Sequence, residues 1–545
     1  MPERILLNAN EKLLRRFYEP LVLLGALDPT RGAHRPDLTS DLGLDKQSKW
    51  WRNFLDQLAF LCDFEKGGDT VTAIAVQKRV DHPVFWLASN SKSRDKARDH
   101  VCWILGRLND MHSVDIWDDE REREILFGCI DFSRARVKTY IVWLMRALKQ
   151  AKESMQESRT PEDTLLMAEF EHLEMLKSDP HQLCAHAHSL RKHRFMEVLS
   201  QRHTVHSQRG IWSDIRHLVG RLGLWHKAIR ILVSGTKMFP QYIEGAEVMV
   251  VAPHGSAALP YFDDSTDMAK IILRMVPSDP PSLAEELSAA LAEVDAIAGI
   301  WDKFREDYKN IRPRPHAELL VLEHFHSENL DFVADEKYIG CSKPSCYCCN
   351  LYMQCHPGGF IPRACHGNLW INWAPPIPLP SIQLGAGRSR VRPQQHHTFG
   401  LLQKMLVRIR LDLQDQILSR RPRRARLPDS TTGMSSVPFD TDKLLASLLG
   451  LRRNLSGSQG DESAAASEGE AADARIDGLP AERSLDAGSE GRDEILTEGD
   501  LTHGNQNQNL SKAKQVQPPG AEVDEESSAE EELVFKGRKN RLYSR

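Results

Sequence analysis

Six of the chain's ten cysteines fall between Cys341 and Cys365, in YIGCSKPSCYCCNLYMQCH and the ACHGNLW that follows. Such crowding restricts the local fold, because clustered thiols are either cross-linked in pairs or gathered on a metal. The opening MPERILLNANEKLLRRFYEP breaks each apolar stretch with charge, so a secretory signal is not expected. No run reaches the roughly 18 apolar residues of a membrane span. Both features predict an intracellular protein, cytoplasmic or nuclear, without a membrane partner. Thiols stay reduced there, and a metal is favoured over disulfides.

Charge and periodicity divide the remainder. A net charge of -5 argues against a simple polycation that coats nucleic acid and leaves local basic patches open. Residues 1–240 read as a mostly helical domain of unassigned role. KWWRNFLDQLAFLCDF places Trp51, Phe54, Leu55, Leu58, Leu61 and Cys62 on one helical face. TVTAIAVQ and VFWLASN interrupt the helices as short strand-like runs. SDIRHLVGRLGLWHKAIRILVSG reads as one helix ended by Gly235. Residues 241–427 alternate helices with strands: GAEVMVVAP, EKYIGCS and IPRACHGNLWIN read as strands, PHAELLVLEHF and CYCCNLYMQ as helices. The fold class expected is α/β, with helices covering a sheet in three layers. From residue 428 to 545, Ser, Gly, Glu, Asp, Gln and Asn dominate, a composition that predicts disorder. The apolar islands DKLLASLLGL and EEELVFKGRKNRLYSR in that tail are candidate docking segments for a protein partner.

The chemistry concentrates in HAELLVLEH and the cysteine run. A catalytic zinc needs three protein ligands and one open position. His316 offers a nitrogen, and Cys346 with Cys349, spaced C-x-x-C at a helix start, offers two thiolates favoured by the helix N-terminus. Glu318, two residues after the histidine, is free to move a proton between an activated water and a leaving amine. A closed structural zinc built from Cys346 and Cys349 with Cys365 and His366, or with Cys355 and His356, is the alternative. It leaves Glu318 without a role.

The pairing of H-x-E with C-x-x-C resembles the signature of the zinc-dependent cytidine-deaminase-like superfamily. The wording HAE, GCSKPSCYCC and ACHGNLW is most similar to a branch common in fungi and predicted to deaminate nucleic acids or nucleotides. The resemblance covers roughly residues 280–420. It implies a mixed sheet between helices, with zinc held by His316, Cys346 and Cys349 and Glu318 as the proton shuttle. Ser345 separates Pro344 from Cys346, whereas the family places proline directly before the first cysteine.

Substrate contacts are less defined. Arg312, Arg314, Lys343, Arg363, Arg388, Arg390 and Arg392 flank the motifs in sequence and would suit an anionic nucleotide or strand. Ser342, Lys343, His366, Asn368 and Trp370 are the candidate substrate-binding residues, and Trp373 is a further aromatic that a base could stack on. Whether the substrate is a free nucleotide or a nucleic acid is left open, as is the base. The runner-up function is an interaction protein whose deaminase-like or zinc-knuckle domain binds without turnover.

Overall fold

The computed structural model describes residues 7–31, 46–90, 94–112, 119–155, 160–205, 210–252, 262–263, 266–276, 281–379, 393–421 and 423–424. The tail read from residue 428, with both apolar islands, lies outside them, as do Arg388, Arg390 and Arg392. All described residues belong to one compact unit.

The chain opens with α1 (Ala9–Leu27) and α2 (Lys46–Cys62), then the strands β1 (Thr72–Gln77) and β2 (Val84–Ser89). Eight helices follow: α3 (Arg94–His112), α4 (Asp119–Phe132), α5 (Arg134–Ser154), α6 (Pro161–Met175), α7 (Pro180–Leu190), α8 (Arg194–Val205), α9 (Ile211–Leu222) and α10 (Leu224–Met238). After β3 (Glu247–Val250) come α11 (Met268–Met275), α12 (Pro281–Ala298) and α13 (Ile300–Asn310). The last stretch holds β4 (Arg314–Pro315), α14 (Ala317–Ser327), β5 (Gly340–Cys341), α15 (Tyr347–Cys355), β6 (Trp373–Ala374) and α16 (Pro393–Ser419).

Four of the five runs read as strands, TVTAIAVQ, VFWLASN, GAEVMVVAP and EKYIGCS, contain strands, and these form one mixed sheet in the order β3-β2-β1-β5. β1 is antiparallel to both neighbours, with Ile74 opposite Leu87 on one side and Gly340 on the other. β2 and β3 run parallel, Phe85 facing Val248. The packing crosses residue 240, since the strand preceding the cysteine helix is hydrogen-bonded to one from the first ninety residues.

Alternation along β1 and β2 sets the two faces of the sheet. Ile74, Val76, Phe85 and Leu87 pack into a core with Phe54, Leu55 and Leu58 of α2, Val101 of α3 and Leu232 of α10. Ala73, Ala75 and Ala88 turn to the other face, among Phe17 and Tyr18 of α1, Leu320 and Val321 of α14, Tyr352 of α15 and Met405 of α16. Small side chains on this second face let α14 lie close against the strands. Helices therefore cover both sides, which is the expected α/β class. On the first face Gly340 has no room for a side chain: a Cβ there would sit 2.6 Å from the Leu55 backbone.

Two local readings change. The helix expected to end at Gly235 continues to Met238, and the break falls earlier, at Gly223 between α9 and α10. IPRACHGNLWIN is not a strand. Gly367 takes φ 72, and the Asn368 amide donates to His366 Nδ1 at 3.0 Å, so this backbone closes on its own side chain and leaves only isolated bridges to Ser345 and Thr30.

Candidate metal centre and active site

Two helix starts meet on the alanine face of the sheet. β4 runs into α14, whose N-cap is His316 in extended conformation. The first amide of that helix, Ala317 N–H, donates to Asn90 Oδ1 at 2.7 Å, at the end of β2. Cys346 is the N-cap of α15, and its sulfur accepts from the Cys349 amide at 3.4 Å. Both helices point their positive ends at the same spot, which favours anionic ligands there.

His316 Nδ1 lies 3.6 Å from Cys346 Sγ and 3.2 Å from Cys349 Sγ. Tetrahedral zinc, with bonds of about 2.3 Å to sulfur and about 2.0 Å to nitrogen, separates such ligand atoms by roughly 3.5 Å. The donor set and its spacing therefore fit zinc with one position left over. Both cysteines are buried, and His316 is partly covered. Burial opposes ionisation of Cys346, but hydrogen bonding with Cys349 and the adjacent His316 hold its thiol well below the usual range. Burial, with the neighbouring Cys346 and Glu318, pushes the Cys349 thiol up.

Glu318, in the first turn of α14, is 4% exposed and lies against the Cys349 thiol. It stands beside the His316, Cys346 and Cys349 cluster without belonging to it. Cys341, which is buried core, and the buried Arg363 are near enough to interact with Glu318 electrostatically.

The other sequence candidates are placed less uniformly. Ser342 is buried in the sheet, its Oγ accepting from the Thr72 amide at 3.3 Å. Asn368 is buried too, its Oδ1 accepting from Thr30 Oγ at 3.2 Å and its carbonyl from the Tyr347 amide at 3.0 Å. His366 is buried in the same turn. Lys343 Nζ donates to the Gly67 carbonyl at 2.8 Å, and Trp370 is half-buried. Arg363 is not a surface cation: it is buried, pairs with Asp56 at 2.8 Å and donates to the carbonyl of Cys341 at 3.1 Å. Arg314 pairs with Asp69. Trp373 is fully buried, away from any stacking role, and its indole N–H donates to Cys349 Sγ at 3.3 Å. Asn90 carried no sequence signal, because nothing local to it reveals a partner far along the chain.

The closed four-ligand alternatives are not assembled. Among the described residues neither Cys365 with His366 nor Cys355 with His356 joins Cys346 and Cys349. His356 belongs instead to a group with His326 and His397, packed around Glu323. There the Gly358 amide donates to His356 Nδ1 at 3.0 Å, which leaves the proton on Nε2, 3.3 Å from the Glu323 carboxylate. Tyr352 O–H donates to the same carboxylate. The Glu323 carboxylate accepts from these donors, and the group reads as a hydrogen-bonded clasp between α14, α15 and α16.

A family model described as OTT_1508-like deaminase matches residues 315–377, the stretch that carries His316, Glu318, Cys346 and Cys349. The likeness to a deaminase is confined to that stretch of a longer chain. No curated protein and no solved structure matches the chain. No helix among the described residues is long and apolar enough to cross a membrane.

Proposed function

We propose that the chain is a zinc-dependent hydrolytic deaminase, which replaces the exocyclic amine of a nucleobase with oxygen from water and releases ammonia. The observation that carries this reading is the meeting of His316 Nδ1 with the sulfurs of Cys346 and Cys349 while Glu318 stands beside them as a non-ligand. Zinc bound there would act as a Lewis acid and lower the pKa of water to about 7. His316, Cys346 and Cys349 would hold it. Glu318 would take the proton of the attacking water and hand it to the departing amine, a role that its burial beside the ligands suits.

The substrate class we assign is a nucleotide or a nucleic acid. Lys343 and Trp370 are the candidates with surface left to meet a phosphate or a base, whereas Ser342, His366 and Asn368 would shape the wall behind them. The test is ammonia release by the purified full-length chain, loaded with Zn²⁺, against nucleosides, nucleotides and single strands. Stoichiometric zinc with no ammonia from any of these would favour the binding-only reading.

A further inference from the structure

Trp373 has two attachments that meet at the candidate metal centre. Its backbone lies in β6, paired in parallel with β4 so that Arg314 faces Trp373 and Pro315 faces Ala374, immediately before His316. Its side chain is fully buried, and the indole N–H points at Cys349 Sγ, 3.3 Å away. The residue is fixed from outside as well: Tyr18 O–H donates to its carbonyl at 2.9 Å, and the Phe17 ring lies 5.7 Å from its own. One rigid group thus touches the strand that delivers the histidine and the sulfur at the far end of C-x-x-C.

We infer that Trp373 is a positioning residue of the metal centre, its indole N–H orienting Cys349 Sγ toward His316 and withdrawing charge from that sulfur. The inference rests on the zinc reading proposed above. An N–H donor to a ligand sulfur fixes its lone pairs and lowers their energy, and groups of this kind tune affinity as well as geometry. The indole has nothing to titrate, so its contribution is steric and electrostatic. Phenylalanine at this position would keep an aromatic ring in the core and remove the donor.

The experiment uses the full-length chain and two probes, Zn²⁺ for affinity by chelator competition and Co²⁺ for the sulfur-to-metal charge-transfer band. Trp373→Phe is compared with a protein carrying benzothienylalanine at 373, which preserves the shape of the indole and lacks the N–H. Tyr18→Phe is the packing control. In both Trp373 replacements the Co²⁺ band is expected at longer wavelength, with Zn²⁺ affinity lower by about 10- to 100-fold. Tyr18→Phe should retain the wild-type band. If Trp373→Phe fails to fold, the benzothienyl protein decides the matter alone. A wild-type band and wild-type affinity in that protein overturn the positioning role while leaving the zinc reading intact. A wild-type chain with no sulfur-to-cobalt band overturns the zinc reading itself, and the inference with it.

Discussion

The Ala317 amide donates to Asn90 Oδ1, so the helix that starts at His316 is capped by a side chain at the end of a strand 227 residues earlier. One of the four orphan amides of α14 is thereby satisfied, and His316 is held against the sheet. Asn90→Ala should lower stability by about 0.5–2 kcal/mol, the range for loss of a capping side chain. Denaturant unfolding of the two proteins checks this, and an unchanged midpoint would show that water replaces the cap without cost.

Metal content should follow the geometry. His316→Ala, Cys346→Ala and Cys349→Ala are each expected to lose zinc, while Cys355→Ala and Cys365→Ala keep it. Metal analysis of the purified variants gives the answer. Zinc lost by Cys365→Ala and retained by His316→Ala would restore the closed four-ligand site.

Glu318→Gln should leave fold and zinc content intact, since the carboxylate is not in the ligand cluster. Turnover should fall by roughly 10²–10⁴, the contribution of a positioned acid–base group. Equal ammonia release from wild type and variant, on whatever substrate proves active, would remove Glu318 from the reaction.

The clasp around Glu323 predicts an acid-sensitive contribution to stability. Burial would raise this carboxyl, but hydrogen bonds from His356, His397 and Tyr352 bring it down from an ordinary 4.5 to about 2. A depressed folded-state value means stability present above the unfolded value and lost as pH falls toward the folded one. The stability gap between wild type and Glu323→Gln should therefore be full above about pH 5 and close between about pH 4.5 and 2. Thermal melts across that window read it out, and a gap constant with pH would show that the carboxylate's charge is not involved.

Cutting the chain near residue 240 should fail to yield a folded domain. A fragment of residues 241–427 lacks β1, whose Ala73 and Ile74 pair with Cys341 and Gly340, and lacks α1, which packs on α16. We expect it to aggregate or to show no cooperative melt, while residues 7–427 behave as the whole. A sharp, reversible melt for the shorter fragment would count against this.

Much of this protein was legible from local pattern. The amphipathic face of KWWRNFLDQLAFLC, the strand-like runs at 72–77 and 84–89, and the helix starts at His316 and Cys346 are features of spacing over a few residues. H-x-E with C-x-x-C singled out four side chains, and His316, Cys346 and Cys349 lie within reach of one another with Glu318 beside Cys349. What the pattern could not reveal is which distant segments touch. Arg363 and Trp373 looked available for a substrate because each follows the motif in sequence; the fold buries them against Asp56 and Cys349. Asn90 closes the strand-like run VFWLASN, and nothing in that run shows the partner the chain brings to it more than two hundred residues later. Periodicity records how a segment meets its own core, while the partner of a buried polar group is chosen by long-range pairing, so the arrangement around the ligands emerges only in the folded chain.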